Sequence, residues 1–345
     1  GTTNPAESPV SWASFATGKG PGHHGIFDFL RRTPGTYFPE IALARAETTP
    51  GPSGVIVFGV RTGVGILGFF IVFLLVRAFR ASGRVATAAG AIVGVAIIIA
   101  TGPIAAAWIP SELPLPVLNR QGVPFCDYAA MAGKRVTAID IPVTFPAKAE
   151  DGVQLTTALG TPDVRQTWGS WYLYSSEEFE SEFSETAGTL RTVSMDGGEG
   201  EAMMRGPRNF MAEGRPEIEV PVTFTKVDDS HMEVSVQGET LSLAVGEWSD
   251  FVHVRFQLSP LVRLVATTRF KLLDMGPDWH VYQEPLNFDP HHLPPTVNIS
   301  YPRQYAGQLA DRYGLRETLG WSIATNPLKD EAIDYATFVE DLEFT

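Results

Sequence analysis

Residues 7–29 read ESPVSWASFATGKGPGHHGIFDF, and the fold reading turns on them. Ser8-Pro9 has the form of a helix start, with Ser as N-cap and Pro at the first helical position, where its missing N–H is no loss. The helix is expected to run to about Thr17 and to stop at Gly18. A serine at such an end faces free N–H groups and the positive end of the helix dipole, a setting that suits an anion such as phosphate. On these local residues alone, Ser8 can equally do no more than cap the helix.

Working outward, Ser8 is followed by Thr17-Gly18, Pro21, His24-Gly25 and Asp28. This set of offsets resembles the nucleophile motif of the type I phosphodiesterase/nucleotide pyrophosphatase family, within the alkaline phosphatase superfamily. Asn119–Asp127, Val143–Pro146, Gly160–Asp163, Val245–Asp250 and Ile299–Pro302 also look like stretches of bacterial members of that group. The resemblance implies that Ser8 attacks phosphorus, forms a covalent intermediate and ligates one metal of a pair. Two divalent ions, with zinc the expected metal, would then be the cofactors, and a phosphate ester the substrate. It further implies an α/β fold: an alkaline-phosphatase-like layered core with a central, largely parallel sheet and a β-rich inserted cap.

The match has departures. The family places an Asn just after the residue matching Asp28, and Phe29 stands here instead. Asp28, Arg31 and Arg32 are therefore the candidate substrate-binding residues, with an Arg replacing the Asn as phosphate donor. Cys126 sits where relatives often have Trp. The family's other metal ligands fall outside the matched stretches: the chain has no Asp-His dipeptide and no Asp-x-x-x-His. The remaining ligands are expected outside residues 1–345. Gly1 in place of Met, and a C-terminal helical pattern with no Gly or Pro stop, agree with a piece of a longer chain.

Composition sets further bounds. The 345 residues carry a net charge of −13 and a single Cys. An intrachain disulfide framework and a multi-Cys zinc site are excluded, and the acidic balance argues against binding of duplex nucleic acid. Charge is unevenly spread. Residues 54–110 hold only four charges, all Arg, which leaves −17 on the rest. Residues 62–76 (TGVGILGFFIVFLLV) and 85–109 (VATAAGAIVGVAIIIATGPIAAAWI) are uncharged. Extended back to Val55, the first reaches bilayer length and includes Arg61, which is expected to snorkel. Two adjacent runs of this kind predict a transmembrane hairpin in contact with membrane lipid. Its connecting loop, RAFRASGR at 77–84, has three Arg and no acid, which places the loop in the cytoplasm and both flanks on the extracytoplasmic side. Residues near 50 and 112 should then lie close together.

The chain divides accordingly: 1–53, the N-terminal part of the core with the nucleophile motif; 54–110, the hairpin; 111–174, the core continued; 175–290, an acidic loop and β-rich cap; 291–345, a helical part of the core. Within 175–215 the acidic, Gly-rich composition predicts loops. Alternating and β-branched runs over 217–288 predict strands. Helices are expected over Pro302–Tyr313 and from Asp330 onward. Among the remaining candidates, His24 reads as a hydrogen-bonding group behind the nucleophile turn, Asp163 as a turn-stabilising residue, His291-His292 as a loop pair, and Trp168 and Trp171 as core. The alternative to an enzyme is a membrane-anchored binding or assembly module that keeps the fold without the chemistry.

Overall fold

Two long apolar helices, Gly54–Ala78 and Gly83–Trp108, pack as an antiparallel hairpin. Their close fit is written in glycine. A Cβ on Gly65 would lie 2.4 Å from Ile98 Cγ1 and 2.9 Å from the Gly94 carbonyl oxygen. A Cβ on Gly94 would lie 2.8 Å from the Gly65 oxygen. Small residues let two backbones touch where lipid offers no hydrophobic drive to associate. The outward side chains, Ile66, Leu67, Leu74, Ile92 and Ile99 among them, are exposed, and both helices are long and apolar enough to cross a membrane. Arg61 Nη2 donates to the Ile98 carbonyl across the hairpin at 2.5 Å.

The computed structural model describes residues 3–52, 54–186, 188–321 and 323–344, and it is mixed helix and sheet. The hairpin leaves and re-enters the rest of the chain through one antiparallel ladder. Strand Ala44–Pro50 pairs with Glu112–Leu118, from Ala44 opposite Leu118 to Pro50 opposite Glu112. Gly51 N–H then donates to the Ser111 carbonyl at 2.8 Å. The expected proximity of residues near 50 and 112 is met by direct pairing.

The β-rich segment forms the main core. Glu199–Arg208, Glu217–Lys226, His231–Val236 and Glu239–Ala244 make a four-stranded meander. A second sheet orders Phe270–Met275, Trp279–Gln283, Tyr172–Ser175 and Thr189–Thr192. A third holds Val252–Ser259, Val262–Thr268 and Asn287–Phe288. Their inward faces meet in one cluster that includes Tyr174, Met204, Phe224, Phe256 and Trp279. The two-residue turn Gln237-Gly238 has positive φ at both positions, 51° and 89°, the geometry that matches strand twist in a tight hairpin.

Two expectations need correction. The stretch 175–215 is not all loop: it contains Thr189–Thr192 and Glu199–Arg208. Glu199–Arg208 buries Gly200, Ala202, Met204 and Gly206 on alternate positions. Glycine and alanine on the inward face hide the hydrophobic alternation that normally announces a strand. Gly206 is small for a reason, since a Cβ there would meet Phe256 Cε1 at 2.1 Å. The second correction concerns strand direction. Among the described residues, Val136–Ile141 with Val153–Thr157 and Tyr172–Ser175 with Thr189–Thr192 are the parallel pairs, and the other ladders are antiparallel. The short turns that join consecutive strands can only return the chain antiparallel.

The C-terminal part carries helices Tyr305–Tyr313, Thr325–Lys329 and Tyr335–Phe344. The last begins later than expected because Asp334 Oδ1 accepts from the Thr337 N–H at 2.8 Å and caps it.

Candidate functional site

Helix Ser8–Thr17 forms where the sequence places it, and Gly18, at φ 65°, ends it with its N–H on the Ser14 carbonyl. The N-cap is Glu7, not Ser8. Ser8 is the first helical residue, one step further in than expected, because Pro9 is accommodated equally well at the second position. Its side chain is exposed and has no hydrogen-bond partner among the described residues. Residue 9 being proline, the first turn presents few N–H donors, and no side-chain cap occupies them. An anion approaching this end meets a free hydroxyl and the positive end of the helix.

Behind the helix, His24 is fully buried. Its Nδ1 accepts from the Ile26 N–H at 3.2 Å, so Nε2 carries the proton and faces Ser14 Oγ at 2.9 Å. Burial, aided by the nearby Arg120 charge, lowers its pKa and favours this neutral form. His24 thus fixes the turn, as the sequence reading has it, and does so through Ser14.

The candidate substrate-binding residues each make a contact of their own. Asp28 is exposed and accepts from the Phe29 N–H at 2.5 Å. Arg31 lies on strand Leu30–Arg32, paired with Pro39–Ile41, and its Nε bonds Glu40 Oε1 at 2.6 Å. Arg32 stacks over the Tyr37 ring at 5.4 Å. No hydrogen bond or ion pair among the described residues joins Ser8 to Asp28, Arg31 or Arg32. Asp163 is buried and accepts from Thr167 N–H at 2.7 Å and Ser170 N–H at 3.3 Å, the turn-stabilising role. Burial raises its pKa.

A metal pair at Ser8 needs carboxylates or imidazoles converging on that hydroxyl. Among the described residues, the cluster with ligand-like spacing is elsewhere: Glu284, Glu317 and Asp341, all buried, with one oxygen each within 4.8 Å of the others. Here Arg269 takes the place of a cation. Its Nη2 lies 3.0 Å from Glu284 Oε2, 2.8 Å from Glu317 Oε1 and 3.3 Å from Asp341 Oδ1. Its guanidinium stacks on Phe344 at 3.8 Å and on Trp248 at 4.6 Å. One guanidinium does not balance three carboxylates. Burial therefore drives them toward the protonated form: Glu284 is pushed up to about 7, Glu317 rises well above its ordinary range and Asp341 also rises. The Tyr282 hydroxyl, buried among these charges, rises too, first from burial. The cluster fastens helix Tyr335–Phe344 to the sheet. The described residues do not fit a two-metal centre that includes Ser8.

Sequence reasoning missed this cluster. Its signal was two cations, Arg269 and Lys271, inside the apolar run LVRLVATTRFKLL at 261–273. The acids they meet lie far along the chain, Glu317 and Asp341 by 48 and 72 residues from Arg269. Also unforeseen is a cavity of about 860 Å³. It lies between the ladder residues 44–46 and 113–116, the strand start 262–264 and the loop 293–297. Arg31, Arg45, Arg208 and Arg263 reach it; Ser8 and Asp28 do not. No family model, curated protein or solved structure matches this chain.

Proposed function

We propose that the protein is a membrane-anchored, extracytoplasmic phosphoric ester hydrolase of the phosphodiesterase/nucleotide pyrophosphatase type, with Ser8 as nucleophile. The observation that carries the reading is the state of Ser8: an exposed, unbonded hydroxyl on the first turn of a helix whose end is uncapped by any side chain. In the proposed reaction its oxygen attacks phosphorus, the ester oxygen leaves, and water later cleaves the phosphoseryl bond. The positive helix end stabilises the anionic group being transferred. The two apolar helices and their Arg77, Arg80, Arg84 loop support anchoring with the loop on the cytoplasmic side.

The full gene product, purified in detergent, should hydrolyse a p-nitrophenyl phosphodiester in the presence of zinc. Ser8→Ala should lower kcat by several orders of magnitude while leaving the thermal midpoint in place. Unchanged turnover in Ser8→Ala removes the nucleophile. One observation favours the second reading, a binding or assembly module: no trio of His, Asp, Glu or Cys among the described residues converges on Ser8. A full gene product that binds no zinc and turns over neither mono- nor diesters would establish that reading instead.

A further inference from the structure

The cavity borders the antiparallel ladder that carries the apolar hairpin. One wall is formed by ladder residues 44–46 and 113–116; Leu113 follows Trp108 by five residues, while 44–46 lie at the end of the ladder away from Gly54. The opposite wall begins at Val262, and the turn before it is bonded to the helix end: Ser259 Oγ donates to the Trp108 carbonyl at 2.8 Å. Leu261, at the tip of that turn, is 65% exposed. A tryptophan closing an apolar helix, with an exposed leucine beside it, marks the level of the lipid headgroups.

The lining joins apolar surface to unneutralised positive charge. Leu115, Phe145, Leu264 and Val297 contribute hydrocarbon. Of the arginines that reach the cavity, Arg31 is paired with Glu40 and Arg45 with Glu47, each at 2.6 Å. Arg208 and Arg263 are exposed and make no ion pair among the described residues, in a chain where acids outnumber bases by 13. The combination is complementary to a molecule with hydrocarbon at one end and a phosphate at the other.

We infer that this cavity binds an anionic phospholipid of the surrounding bilayer, its phosphate held by Arg208 and Arg263 and its acyl chains on the apolar walls. Guanidinium groups suit the phosphate because their donors match its oxygens in pairs. The inference rests on the membrane-anchored part of the proposed function and is independent of Ser8 chemistry.

The test uses the full-length protein reconstituted in vesicles of phosphatidylcholine alone or mixed with phosphatidylglycerol, then extracted for native mass spectrometry. Phosphatidylglycerol should be retained over phosphatidylcholine by roughly tenfold or more, the discrimination expected of two charge-assisted contacts. R208Q/R263Q should reduce that preference to below about twofold. Arg255→Gln, an exposed arginine outside the cavity, should keep it. Thr296→Trp, which narrows the cavity and leaves both arginines, should reduce retention of both lipids. Inorganic phosphate should not displace the retained lipid; if it does, the arginines bind free phosphate and the inference fails. Equal retention of the two lipids, or a preference that survives R208Q/R263Q, overturns it while the anchor stands. Release of the protein from membranes by alkaline carbonate overturns anchor and lipid site together.

Discussion

Arg269→Met gives the sharpest test of how the C-terminal helix is held. The guanidinium bonds Glu284, Glu317 and Asp341 together, and its side chain is 4% exposed. Methionine keeps an unbranched stem and removes the charge together with the guanidinium's stacking on Phe344 and Trp248. The three buried carboxyl groups then lose the cation they share, and burial presses them further toward uptake of protons or admission of water. Breaking a buried ion pair from one side costs about 3–5 kcal/mol. For a body of this size each kcal/mol moves the midpoint by about 2–4 °C, so the loss should be on the order of 6–20 °C. The comparison variant is Glu317→Gln. Glu317 is already driven toward its neutral acid by burial and by its two acidic neighbours, and glutamine imitates that form, so its cost should stay within about 1 kcal/mol. Thermal unfolding of the full protein in detergent, followed by near-ultraviolet circular dichroism, measures both. The reasoning fails if Arg269→Met melts within about 2 °C of wild type, or if Glu317→Gln is as damaging as Arg269→Met.

Two further outcomes follow from other parts of the molecule. The folded state holds a proton on Glu284 up to about pH 7, whereas its ordinary pKa is 4.5; the folded form therefore binds more protons in that window, and this contribution to stability is full below pH 4.5 and falls as pH rises toward 7, by at most about 1.4 kcal/mol per pH unit. Denaturant midpoints of wild type minus Glu284→Gln isolate it from His24, whose lowered pKa acts in the opposite sense, and a difference that grows with pH contradicts the assignment. Gly94→Leu should separate the two apolar helices, since even a Cβ there meets the Gly65 carbonyl oxygen at 2.8 Å; loss of a disulfide cross-link engineered between the helices reports it, and an unchanged cross-linking yield counts against the packing.

Much of the fold was legible because it is carried by local pattern. The hairpin helices contain the uncharged runs 62–76 and 85–108. The strands over 217–288 alternate, and the turn between two of them carries Gly238 at a positive φ that suits glycine. The helix after Ser8 ends at the glycine that can adopt its left-handed cap. Where the reading stopped short, the cause was non-local. Glu199–Arg208 is a strand because Phe256 and Ile218 need small partners at Gly206, and no window of sequence displays that need. Arg269 is buried by Glu284, Glu317 and Asp341, and the last two lie 48 and 72 residues further on. Arg31 had the chemistry of a phosphate donor, but the register that sets it opposite Glu40 belongs to the hairpin as a whole. Around Ser8, spacing alone indicated the hydroxyl and the helix end, and the surrounding side chains are ordinary.

The ladder that carries the apolar hairpin has a mechanical consequence. A protein hung from one helix can swivel about the few bonds of its linker. This one is moored by two chains bonded to each other for seven residues on each side, a ribbon about 24 Å long. Once the helices are set in a bilayer, both the height and the heading of the β-rich body are fixed by the register of that ribbon. Adding one residue to each strand would turn the opposite face of the ribbon toward the body. Adding two would restore the face and lift the body by about 7 Å. The ladder is thus a ruler as well as a tether, and the distance it measures decides which part of a neighbouring molecule the body can reach.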